Sequence, residues 1–161
     1  MVDSAPVSNP MTTSCKLNKD YEFYFVDPTL YRSIIGIILY LRTTRPDIMH
    51  AVGMVGRFQS SSKETHVTIV KWIFRYLRGT FDFGLWYPRT KNLDMIAYTD
   101  VDWERSLDDS KSTTGNIFFL GECLVEWTSW KQSSISLSTI EAKYIATTNC
   151  CTQILWMKKV L

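Results

Sequence analysis

Apolar residues recur at helical spacing through the first half of the chain and at alternating spacing after Gly79. Asp27-Pro28 predicts a helix start, because aspartate caps and proline is pre-set for the first turn. That helix extends to about residue 42. Arg45-Pro46-Asp47 breaks it and opens a second helix, to about Gln59. Ser60-Ser61-Ser62-Lys63-Glu64 supplies caps and an early acid for a third, ending at Arg78 with Gly79 as the residue beyond it. On this helix Val70, Ile73, Phe74 and Leu77 form an i, i+3, i+4, i+7 stripe, the expected core face. Lys71, Arg75 and Arg78 line up roughly 100° away. Trp72 falls nearly opposite the stripe and reads as outward, without a partner.

Beyond Gly79 the expected elements are a short strand over 84–87 and a longer one over 94–102. Residues 106–112 are polar turn material. Strands over 116–120 and 123–127 flank Gly121-Glu122, whose glycine suits a hairpin, and 133–137 reads as one more short strand. Ser138 or Thr139 caps a last helix, with Glu141 in its first turn, running toward Leu161. The fold class is therefore α+β. Three parts are expected: a linker-like segment at 1–27 of turn and polar composition, a helical region at 28–80, and a strand-rich domain at 81–161 that ends in one helix.

Composition supports a globular chain: 161 residues, 45% hydrophobic and 21% charged, are enough to build a core. The net charge of +2 is too small to demonstrate a nucleic-acid partner by itself. Cys15, Cys123, Cys150 and Cys151 have neither disulfide-framework nor zinc spacing, and read as buried thiols of a reducing compartment. The first ten residues contain no apolar h-region and no arginine, so no secretory or transit signal is expected, and the apolar run at 34–41 is too short for a membrane span. The expectation is a soluble intracellular protein, cytoplasmic or nuclear, with no membrane partner.

Motifs add a resemblance. Tyr98-Thr99-Asp100-Val101-Asp102-Trp103 is an apolar strand ending in acids, and Ser138-Thr139-Ile140-Glu141-Ala142-Lys143-Tyr144 opens a helix. Both resemble the ribonuclease H region of copia-type LTR retrotransposon Pol polyproteins, which reads roughly Y-[ST]-D-x-D-W and later S-[ST]-x-E-A-E-Y. Leu30-Tyr31-Arg32-Ser33-Ile34-Ile35-Gly36, Arg45-Pro46-Asp47-Ile48 and Arg75-Tyr76-Leu77-Arg78-Gly79-Thr80 resemble the connection between polymerase and ribonuclease H in such polyproteins. Leu85-Trp86-Tyr87-Pro88, the run from Leu107 to Thr113, and Lys131-Gln132 continue the match in order. The resemblance implies a helical connection region at 28–80 followed, at 81–161, by a truncated ribonuclease H-like fold of three antiparallel strands and the first helix.

It also implies a metal chemistry. Hybrid cleavage is an in-line phosphoryl displacement in which two Mg²⁺ ions roughly 4 Å apart activate water and stabilise the leaving oxygen. Several carboxylates must converge on those ions, since Mg²⁺ takes hard oxygen ligands. The resemblance assigns the first-strand ligand to Asp100 and the helix ligand to the position of Lys143, where an ammonium replaces the family's glutamate. Glu141 lies about 160° around the helix from Lys143 and Asp102 lies beyond Asp100, so neither is expected to substitute. Later acidic ligands are expected to be absent, with a sheet edge left open. The expectation is thus a vestigial site, at most a weak metal ligand at Asp100, no enzymatic activity and no cofactor, the ancestral one being Mg²⁺. Glu104-Arg105 in place of Ala-Gly, Ile37 in place of Ser, Trp130 in place of Lys and Trp72 in place of a basic residue are further departures.

Three functional readings follow. Lys71, Arg75 and Arg78, with Arg42 and Arg45, could track the phosphates of an RNA–DNA hybrid weakly and without sequence preference. Arg75-Tyr76-Leu77-Arg78 alternatively matches the R-x-L-R signature of oomycete effectors, secreted and delivered to host cells, although Leu77 is needed for the core stripe. A third reading is a co-opted interaction protein, with the open sheet edge also permitting self-association.

Overall fold

The computed structural model describes residues 4–12, 15, 17–19, 24–89, 91–103 and 106–160. They form two compact units, Met1–Gly84 and Leu85–Leu161. The first is helical and the second is a sheet with one helix, so the chain is α+β.

In the first unit, α1 spans Pro28–Leu41, and the Asp27 carboxylate caps it by accepting from the Thr29 N–H at 2.9 Å. A 3₁₀ turn at Pro46–Ile48 leads into α2, Met49–Gly56. The predicted second helix therefore starts as 3₁₀ and stops three residues short of Gln59, because Phe58 leaves helical geometry to enter the core. The third helix, α3, spans Glu64–Gly79. Its N-cap is Lys63, whose N–H is received by His66 Nδ1 at 3.0 Å, so the preceding serines do not cap it. Ser62 instead donates its hydroxyl to Val26 O at 3.3 Å. Tyr31, Ile35, Ile38, Ile48, Val52, Met54, Val55, Val70 and Ile73 make the core. The predicted stripe is rotated: Val70 and Ile73 are buried, but Tyr76 is buried too, while Phe74 and Leu77 are half-buried.

Composition reads residues 1–27 as linker-like. In the structure Met11 and Leu17 are buried in this core, with Val7 and Cys15 packed against it.

In the second unit, β1 (Met95–Asp102), β2 (Thr113–Leu120) and β3 (Cys123–Lys131) form an antiparallel sheet in the order β1-β2-β3. Gly121, at φ 58°, makes the β2–β3 turn. The expected strands at 84–87 and 133–137 are not strands. The first joins no ladder among the described residues and leaves Trp86 and Tyr87 exposed. The second bends, with Ser136 Oγ donating to Gln132 Oε1 at 3.1 Å.

The last helix, α4, spans Thr139–Val160. Ser138 Oγ accepts from the Glu141 N–H at 3.2 Å, and Glu141 Oε2 accepts from the Leu137 N–H at 2.7 Å. Gln132 Nε2 donates to Thr114 Oγ1 and to Ala142 O, both at 3.0 Å, and Gln153 Nε2 donates to the Glu126 carboxylate. These bonds place α4 along the sheet face that carries Thr114 and Glu126. Ala142, Ala146 and Cys150, one turn apart, are its buried residues. Among the described residues, no helix is long and apolar enough to cross a membrane.

Candidate nucleic-acid interface and acidic strand end

Strand alternation fixes where Asp100 points. Val101 lies opposite Thr114 in the β1–β2 register, so it shares the face under α4. Asp100, opposite Gly115, belongs to the other face with Ile96, Tyr98 and Asp102, all exposed. Its carboxylate accepts the Val101 N–H at 2.8 Å. Lys143 is exposed on α4, about 100° round from the buried Ala142. Glu141 is committed to the cap described above, and its carboxylate is held at Leu137. The residues present do not fit a two-metal site. Asp100 shares its strand face with Asp102, Lys143 sits on the helix that covers the opposite face, and no group of three or more potential ligands occurs among the described residues. Glu104 and Arg105 lie outside the described residues.

Two of the three basic residues on α3 are engaged by the N-terminal segment. Lys71 is exposed. Arg75 Nε donates to Ala5 O at 2.7 Å and Arg78 Nη1 donates to Ser4 O at 3.0 Å. Trp72, expected to face outward alone, donates from Nε1 to Asn9 O at 2.9 Å, and the Arg75 guanidinium lies 5.3 Å from its ring centroid. Gly79 is the last residue of α3 rather than a left-handed cap, and a Cβ there would stand 3.0 Å from Pro6 Cβ. The N-terminal segment thus runs along this face, and close approach explains the glycine.

Arg45 does not join the basic face. It is 7% exposed, chelates Asp47 through Nε (2.9 Å) and Nη2 (2.6 Å), and donates from Nη1 to Thr80 O at 2.9 Å. Tyr76 OH donates to the same Asp47 carboxylate at 2.8 Å. Burial pushes the Asp47 carboxyl up, but the Arg45 guanidinium and Tyr76 hydroxyl outweigh it and hold the group below the usual carboxylate range. Burial and the neighbouring carboxylate push the Tyr76 hydroxyl up. The four residues of the R-x-L-R match therefore lie in the last turns of a packed helix. Tyr76 is buried, Leu77 is half-buried, and both arginines are engaged.

The helical unit and the α-capped sheet follow the order in which the motifs were met in the sequence, and comparison with known proteins agrees. The chain is 37% identical over its whole length to the Retrovirus-related Pol polyprotein from transposon RE1 of Arabidopsis thaliana, spanning 11% of that protein. It is 37% identical, again over its whole length, to the Pol polyprotein from transposon TNT 1-94 of Nicotiana tabacum, of which it spans 13%. It is also 35% identical over 128 residues (79% of this chain, 90% of the other) to Secreted RxLR effector protein 161 of Plasmopara viticola. The chain belongs to the copia-type retrotransposon Pol polyprotein family. It spans little more than a tenth of the Pol polyproteins it matches. No family model and no solved structure matches it.

Proposed function

We propose that the chain is a catalytically inactive Pol segment, comprising the connection region and the first part of a ribonuclease H-like fold, with residual weak affinity for RNA–DNA hybrid. The observation that carries inactivity is Lys143. Where the family's motif has a second glutamate, the helix carries an exposed ammonium, which cannot ligate Mg²⁺ and repels it. The sheet supports the fold assignment, since a strand ending in Asp100, two antiparallel strands and a covering helix occur in ribonuclease H order.

Residual binding rests on α3. Lys71 is exposed to solvent, and Arg75 and Arg78 lie one turn apart beside it. Such a face tracks phosphates by charge, with little base preference and strong salt dependence. Fluorescence anisotropy of a labelled hybrid tests it. Binding should be weak, fall with salt, and drop further in Lys71→Ala. Binding indifferent to both salt and Lys71→Ala would refute it.

The similarity to the Plasmopara viticola protein favours a second reading, an effector acting in host cells. Under that reading Arg75→Ala/Arg78→Ala abolishes host-cell entry while the fold survives. An unchanged entry signal excludes it.

A further inference from the structure

The α3 face already holds an occupant. Trp72, Arg75 and Arg78 sit at helical spacing on one side of α3, and each donates to a backbone carbonyl of residues 4–9, which run antiparallel to the helix. Gly79 provides the space into which Pro6 fits, and Met11 anchors the far end in the core. The three bonds from Trp72, Arg75 and Arg78 all go to main-chain carbonyls of residues 4–9. A neutral carbonyl is a weaker acceptor for a guanidinium than a phosphate oxygen is.

We infer that residues 4–12 form a displaceable strap that occupies Arg75 and Arg78 in cis and competes with nucleic-acid phosphate for them. This rests on the proposed phosphate-tracking role of α3. With the strap seated, Lys71 is the residue of the set left to meet a ligand. With it lifted, two further cations join the face. Binding of hybrid and seating of the strap then exclude each other at these two side chains.

Gly79→Val tests it. The added side chain meets Pro6 Cβ at 3.0 Å or closer, while position 79 is exposed and the core is untouched. Met11→Ser, which weakens the other anchor, is the second variant should the first perturb α3. Amide hydrogen exchange of residues 4–12 reports strap release, and anisotropy of a labelled RNA–DNA hybrid, measured across salt, reports binding. The expected result is faster exchange in the strap, with tighter binding at low salt. The salt slope should steepen by about 1.8, so that the gain shrinks about tenfold between 50 and 200 mM salt. Adding Arg75→Ala and Arg78→Ala should erase the gain.

Released strap with unchanged affinity, in a protein that binds hybrid through Lys71, overturns the strap and leaves the nucleic-acid reading standing. Protected amides in both variants with unaltered binding also overturn it. No binding by the wild type or by either released variant overturns both.

Discussion

Two side chains, Arg45 and Tyr76, share the Asp47 carboxylate, and the stability of the helical unit there depends on pH in a defined direction. Asp47 titrates below its unfolded value, which is about 3.9. Its contribution is therefore fully present above roughly pH 4 and is lost as pH falls through the lower folded value. Asp47→Asn should cost about 2 kcal/mol near neutrality, since it leaves the Arg45 charge buried without its counterion. The urea midpoint of wild type should converge on that of the variant in acid. Parallel curves down to pH 2.5 would show that Asp47 is not the titrating group. The place of Lys143 early in the last helix was legible in the sequence, because the Ser138 cap and Glu141 mark where that helix opens. Arg45 was not, because an arginine two residues before an aspartate looks like surface until Thr80 and Tyr76 are brought to it. The strap was also hidden: Val7, Met11 and Leu17 have no period, so nothing distinguishes an apolar anchor from chance in a polar segment.

Elements were legible where capping and periodicity agreed. Asp27-Pro28 opened α1 where expected, Gly121 turned β2 into β3, and Ser138 with Glu141 opened α4. They were misread where a tertiary partner decides the outcome. Residues 84–87 alternate like a strand yet pair with nothing among the described residues, and the α3 stripe rotated to bury Tyr76 against Asp47. Two predictions belong to this scale. Ser138→Ala should destabilise the sheet unit by about 1 kcal/mol through loss of the α4 cap. Gly121→Ala should cost about 1 kcal/mol as well, because its φ of 58° is strained for any residue with a Cβ. Thermal melts of both variants check these values, and a Gly121→Ala protein as stable as wild type would mean that the turn relaxes.

At the scale of the molecule, the sheet covers one face with α4 and leaves Ile96, Tyr98 and Ile117 exposed on the other, with β1 at an edge. Exposed apolar surface beside a strand edge that is unpaired among the described residues favours association. Sedimentation velocity should therefore show concentration-dependent self-association that Tyr98→Lys reduces. A monomer at every concentration would argue against it. The same outer face carries Asp100. Under the proposed function, a Pol-derived chain contacts hybrid without cutting it. One gel tests this directly: labelled RNA–DNA hybrid with purified protein and Mg²⁺, scored for shift and cleavage together, in wild type and Asp100→Asn. The prediction is a salt-sensitive shift and an intact RNA strand, identical in both proteins. Mg²⁺-dependent cleavage by wild type that disappears in Asp100→Asn would contradict it.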